Sequence, residues 1–152
     1  MVEYFLKYTG TDPSEDENGA IIAASRNGHL EIVKLLLSDS RVDPSDCNNE
    51  AIITAIEEGH YEVVKLLISD FRVDTSDFDN SAIIFASQNG HPEVVKLLLS
   101  NSRVLHEYID TSIIEIDQKC HDILIKFHKN LSSKNTEFDK KMNKCNWQNF
   151  LL

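Results

Sequence analysis

The sequence predicts an all-α solenoid, a stack of short helix pairs with short connectors and a helical cap at the C-terminal end. The main observation is a repeated stretch: GHLEIVKLLLSDSRVD begins at Gly28 and returns with few changes at Gly59 and Gly90, at intervals of 31 residues. A fixed period of this size is typical of repeat architectures. A second observation is that each unit contains two segments with apolar residues at helical spacing.

The first segment of each unit is predicted to be a short helix, over roughly Gly19–Asn27 in the first copy. Asn18 stands just before it, where a side-chain oxygen can cap free backbone amides. Ile21 and Ala24 form an apolar stripe at helical spacing. Gly28 follows, where a helix end favours the left-handed conformation that glycine adopts at little cost.

The second segment predicts another helix that starts near residue 30. Glu31 lies in its first turn, which is favourable against the helix dipole, and Val33 and Leu36 belong to the next apolar stripe. The third copy begins with Pro92, which the first helical position tolerates. The stretch SDSRVDPSD then predicts an extended connector with a Pro/Ser/Asp turn. Helices this short are only marginally stable in isolation, so the units must stack to bury their apolar stripes.

The period also divides the chain into units. A half repeat, three full repeats and a degenerate capping unit are predicted at 1–17, 18–48, 49–79, 80–108 and 109–131. The capping unit keeps apolar residues at helical spacing, namely Ile113, Ile116, Cys120, Ile123, Leu124, Phe127 and Leu131. Residues 132–152 form either a last helix folded against the stack or an exposed partner-binding tail.

The stretch NGHLEIVKLLL, which follows a short Ala-rich helix, resembles the ankyrin repeat over about residues 2–104. The family's usual Thr-Pro-Leu-His opening is replaced by GAII, EAII and SAII, so Ile22, Ile53 and Ile84 are expected to replace a Thr–His hydrogen bond with packing. The unit is also shorter than the family's usual repeat of about 33 residues. Its RVDPSD connector resembles repeats of giant viruses of amoebae and of some protists.

Charge and composition narrow the classes of partner. The chain of 152 residues has a formal net charge of −10, with 8 Lys and Arg against 22 Asp and Glu in residues 1–117. An acidic body repels phosphate backbones, so we expect no nucleic-acid partner and favour a protein with a basic surface.

Neither a signal peptide nor an apolar run of about 20 residues occurs. Three widely spaced cysteines without a CxxC suit a reducing compartment. We therefore expect an intracellular, cytoplasmic protein without a membrane partner, located in the host cytoplasm if it is viral.

The sequence carries no recognisable catalytic pattern. It contains no Gly-rich phosphate loop, nucleophile elbow or HExxH. His29, His60 and His91 recur once per unit, which predicts a structural bond to the turn rather than a shared metal. We expect no enzyme, cofactor, metal or small-molecule substrate. Ser14, followed by acidic residues, belongs to an acidic loop or marks a phosphorylation site.

The resemblance implies a site at the ends of the first helices and at the connector tips, which line the concave groove of ankyrin proteins. The candidate partner-binding residues there are Arg26, Asn27, Asp46, Glu57, Glu58, Asp77, Phe78, Asp79, Gln88 and Asn89. Phe78, between two carboxylates, is the candidate aromatic anchor. Neutral variation on a solvated face is the alternative at each position. The predicted function is a non-enzymatic protein–protein interaction module; the alternative is a viral or effector-type inhibitor that competes for a host signalling protein.

Overall fold

The computed structural model describes residues 12–73, 81–101 and 117–134 of the chain, and all regular structure in these ranges is helical. The helices are α1 Glu15–Arg26, α2 Leu30–Leu37, α3 Asp46–Glu57, α4 Tyr61–Ser69, α5 Ser81–Gln88, α6 Pro92–Ser100 and α7 Gln118–Lys134. The predicted half repeat lies for the most part outside the described residues. Within the described ranges, the all-α solenoid is confirmed.

The helices stack in two rows. The first helices of the units, α1, α3 and α5, pack in sequence against one another, and so do the second helices α2, α4 and α6, followed by α7. Within each unit the first helix also packs against the second. Every inner unit therefore buries an apolar surface on both sides, which is the physical reason for repeating it.

The core consists of the predicted stripes in register. Equivalent side chains of the first helices are fully buried: Ile21, Ile52 and Ile83. Equivalent side chains of the second helices are 0–2% exposed: Val33, Val64, Val95, Leu36, Leu67 and Leu98. The isoleucines expected to replace a hydrogen bond with packing are partly buried against this core, as predicted: Ile22, Ile53 and Ile84.

The predicted Pro/Ser/Asp turns are present in the first two connectors. The carboxylates of Asp12 and Asp43 each accept hydrogen bonds from the amide and the hydroxyl of the serine two residues later, Ser14 and Ser45, at 2.7–3.0 Å. The backbone then enters the first helix through three left-handed residues, Asp16–Asn18 in one repeat and Cys47–Asn49 in the next, with φ between 51° and 64°. The regular turns of α1 therefore begin only at Gly19.

The prediction that Asn18 caps its own helix is wrong. A capping residue has extended backbone dihedrals, whereas Asn18 is left-handed and makes no capping hydrogen bond. Its Oδ1 accepts a hydrogen bond from the Asp43 amide at 2.9 Å, and its Nδ2 donates to Asp46 Oδ2 at 2.8 Å. The buried Asn18 side chain therefore joins one repeat to the connector of the next.

α7 closes the described stack against α6. Asp117 precedes it as a histidine precedes each earlier second helix, and its carboxylate accepts a hydrogen bond from the Lys119 amide at 2.9 Å. Cys120 and Leu124 are 0–1% exposed, and burial raises the pKa of the Cys120 thiol to about 11. The boundary predicted after residue 131 falls inside this helix, which continues to Lys134, because serine is a weak helix former but not a helix breaker.

Candidate partner-binding surface

The first helices end in three pairs of exposed residues. Because the pairs are one repeat apart and α1, α3 and α5 are neighbours, they form a row across the stack, here called the helix-end row. The row consists of Arg26, Asn27, Glu57, Glu58, Gln88 and Asn89, all of which are exposed. Six of the ten predicted site residues therefore lie together.

Histidines hold the backbone of this row. The ring Nε2 of His60 donates a hydrogen bond to the Arg26 carbonyl at 2.9 Å, and that of His91 donates to the Glu57 carbonyl at 2.7 Å. The donor assignment follows because a carbonyl only accepts. The rings lie against Gly28 and Gly59 so closely that a Cβ there would overlap them. The predicted structural role is confirmed for His60 and His91, and their bonds reach the turn of the preceding repeat.

Replacing His60 with alanine should lower the free energy of unfolding by about 1 kcal/mol, the usual net contribution of a hydrogen bond. His29 is the matched control, because it is exposed and its ring has no hydrogen-bond partner in the described part of the chain. His29→Ala should change stability by less than about 0.5 kcal/mol. Urea unfolding followed by circular dichroism measures the free energy of unfolding of both variants. Equal losses of stability would contradict a stabilising role for the His60 hydrogen bond.

The charges of the row are unevenly compensated. Arg26 forms an ion pair with Glu50 of the next repeat at 3.1 Å. The carboxylates of Glu57 and Glu58 have no ion-pair or hydrogen-bond partner in the described ranges, and both are exposed. In the described ranges these two carboxylates interact with solvent alone, and a cationic group of a partner would have to replace that solvation.

The two asparagines of the row are partly used by their own helices. Asn27 Nδ2 donates to the Ala23 carbonyl at 2.8 Å, and Asn89 Nδ2 donates to the Phe85 carbonyl at 3.1 Å. Each of these carbonyls also accepts the backbone amide of the same asparagine, at 3.2 Å for Asn27 and 3.1 Å for Asn89, so the side-chain bond is a second one to the same oxygen. Each asparagine keeps its amide oxygen as an acceptor.

Phe85 is a candidate that the sequence analysis missed. It lies on α5, one turn before Asn89, and its side chain is 37% exposed. The same register position is occupied by Ala23 and Thr54, so a large aromatic replaces two smaller residues. Helical spacing places Phe85 off the buried stripe, because it lies two residues, about 200°, after Ile83, so its exposure follows from the repeat register. The signal that could have revealed it is the one that selected the row, a position that varies while the framework repeats.

The connector tips are described only in part. Asp46 is half-buried, and the Asn18 amide and the Cys47 amide, both donating to its carboxylate, lower its pKa. The carboxylate therefore holds two repeats together, and only part of it faces solvent. Asp77, Phe78 and Asp79 lie outside the described residues, so their site assignment stays a prediction.

An open polar cavity of about 600 Å³ adjoins this tip, with Glu17, Asp43, Cys47 and Arg72 among its lining residues. The Cys47 thiol donates to the Glu17 carboxylate at 3.3 Å, which raises the thiol pKa. A raised pKa keeps the thiol protonated at neutral pH, whereas nucleophilic attack needs the thiolate. In the described ranges no group of three or more His, Cys, Asp and Glu side chains is placed to hold a metal ion.

None of the described helices is long and apolar enough to span a bilayer.

No curated protein and no solved structure gives a match to the chain. A family model for ankyrin repeats in three copies matches residues 1–79 and again residues 21–111. Ankyrin repeats are generally protein–protein interaction modules and typically not enzymes. Two overlapping matches over most of the chain, together with the stacked helix pairs, show that this chain belongs to the ankyrin-repeat family.

Proposed function

We propose that this chain is a non-enzymatic interaction module that binds another protein through the helix-end row and the adjoining Phe85. The observation that carries the proposal is the exposed pair Glu57 and Glu58, which has no partner in the described ranges. Phe85 is exposed on the neighbouring helix α5. Histidine bonds hold the backbone at Arg26 and Glu57. A surface held in this way loses little conformational freedom on binding, which favours affinity.

The chemistry of the row favours a basic partner. A lysine or arginine of the partner would find two carboxylates that no cation of the described chain neutralises, so electrostatic attraction would speed encounter. Phe85 would supply apolar contact area next to these charges. Aromatic anchors surrounded by polar residues often carry much of an interface's energy, with truncation costing about 2 kcal/mol or more.

The connector tips complete the proposed site. Asp46 keeps part of its carboxylate toward solvent while it joins two repeats. Asp77, Phe78 and Asp79 remain candidate contacts on the strength of the repeat register alone, with Phe78 as a second aromatic anchor. Phe78→Ala and Phe85→Ala therefore test two different parts of one proposed surface.

A charge reversal tests the proposal most directly. Partners captured by proximity labelling should be lost when both Glu57 and Glu58 are replaced with lysine. Phe85→Ala should lower the affinity for the purified partner about 30-fold, equivalent to about 2 kcal/mol. Association should also slow as salt rises, because screening acts over about 10 Å near 0.1 M. Surface plasmon resonance at several salt concentrations measures both quantities.

Glu62→Lys is the matched control, because Glu62 is an exposed glutamate of the same repeat on the second helix. It should leave affinity within about twofold, since it lies on a second helix rather than at the end of a first helix. Equal weakening by Glu62→Lys and by the row variants would mean that only net charge matters. If the row variants bind the partner with unchanged affinity, the binding surface lies outside the helix-end row.

The alternative function is a viral or effector-type inhibitor that mimics a host ligand. The resemblance of the 31-residue unit and its connector to repeats of giant viruses supports it. The same capture experiment separates the two ideas. An inhibitor would displace the natural ligand of a captured signalling protein in a competition assay, whereas a simple adaptor would bind alongside that ligand.

A further inference from the structure

The last two described helices leave an apolar groove between them. Leu99 of α6 and Ile123 and Phe127 of α7 line it, with Lys96 and Lys126 at its edges. Its volume is about 380 Å³, large enough for one or two large side chains. Ile123 and Phe127 pack against the core but are only partly buried, so the groove lining is apolar.

The chain itself offers an occupant. The groove extends to Asn130, and the helix continues only to Lys134, about one turn further. Residues 135–152 follow, and seven of them are apolar: Phe138, Met142, Cys145, Trp147, Phe150, Leu151 and Leu152. The segment therefore starts at one end of the groove and carries the side chains that could fill it.

Length and charge are compatible with a return along the groove. From Asn130 back to Ile123 is about 10 Å along a helix axis, whereas the 18 residues of 135–152 can span up to about 60 Å when extended. Glu137 and Asp139 of the segment can meet Lys126, whereas Lys96 is already paired with Glu93 at 2.7 Å. The lysines of the segment, Lys140, Lys141 and Lys144, then have to remain in solvent. A tethered segment also acts at an effective concentration on the order of millimolar, well above that of a free partner.

We propose that residues 135–152 dock back into the groove between α6 and α7, with Trp147 or Phe150 as the buried anchor. The segment then covers the apolar surface that the capping helix leaves open at this end of the stack. A second copy of the chain and a foreign helix are the other possible occupants, and the experiment below tells them apart.

Trp147 makes the test direct, because it is the one tryptophan of the 152-residue chain. In the full-length protein its emission should be blue-shifted relative to the chain in urea, and acrylamide should quench it several-fold less. Phe127→Ala should move both values toward those in urea, with helicity checked by circular dichroism. Ile125→Asp is the control: Ile125 lies on the same helix and is 37% exposed, and its replacement should leave the emission unchanged.

A crosslink avoids any variant that fails to fold. With the photoreactive residue p-benzoylphenylalanine in place of the exposed Lys126, irradiation should yield an intramolecular adduct to a peptide from residues 135–152, identified by mass spectrometry. A covalent dimer, or no adduct, would overturn the proposal. A Trp147 as accessible in the native protein as in urea would overturn it as well.

Discussion

Replacing Leu67 with alanine is expected to lower the free energy of unfolding by about 2–5 kcal/mol, the range for large-to-small substitutions in a packed core. Leu67 is 0% exposed and lies on α4, which contacts α2, α3 and α6. Neighbours on three sides hold the cavity open, so the protein loses both the transfer energy of the side chain and the contacts around it. Urea unfolding followed by circular dichroism measures the loss.

Lys65→Ala is the matched control, because Lys65 is exposed on the same helix. It should change stability by no more than about 0.5 kcal/mol. A loss below about 1 kcal/mol for Leu67→Ala would contradict the helix register. A transition that separates into two steps would instead mean that the repeats on either side of α4 unfold independently, as the nearest-neighbour coupling of repeat proteins allows.

Replacing Gly59 with alanine is expected to cost about 2–3 kcal/mol, from two additive causes. Gly59 has a φ of 74°, a left-handed conformation that is strained for alanine. The added Cβ would also overlap the His91 ring. Moving that ring breaks its hydrogen bond to the Glu57 carbonyl, which holds the middle of the helix-end row.

Gly90→Ala separates the two causes. Gly90 has nearly the same φ, 73°, but a Cβ there would meet the nearest atom, Asp117 Cβ, at an ordinary 3.7 Å. Only the backbone cost of about 1–2 kcal/mol should appear. A double-mutant cycle of Gly59→Ala with His91→Ala should show a coupling close to the excess cost. Equal losses at Gly59 and Gly90, with no coupling, would show that the ring contact contributes nothing.

The hydrogen bonds from the histidine rings to the helix-end row connect the fold to the proposed function. His60 and His91 bond the carbonyls of Arg26 and Glu57, which are row residues. His91→Ala should therefore lower the affinity for a partner that binds Glu57 and Glu58, even when affinity is measured on the folded fraction alone, because the backbone of the row is no longer held in place.

The features that are local and periodic could be predicted from the amino-acid sequence. The 31-residue interval placed the helix pairs, the glycines with positive φ and the buried stripes from Ile21 to Leu98, since each follows from backbone preference or from helical spacing within one unit. It also selected ten candidate contacts from variation within a constant framework. The structure brings six of them together in one exposed row, and their contact with a partner stays a prediction.

The features that depend on neighbouring units became visible only in the folded stack. Asn18 bonds the next connector rather than its own helix, and His60 reaches the preceding repeat. α7 likewise continues past the predicted boundary. A helical period says which side of a helix is apolar, but it does not say how far the next unit covers that side or which polar group of another repeat comes within hydrogen-bonding distance. Those outcomes are set by the packing of one repeat on the next.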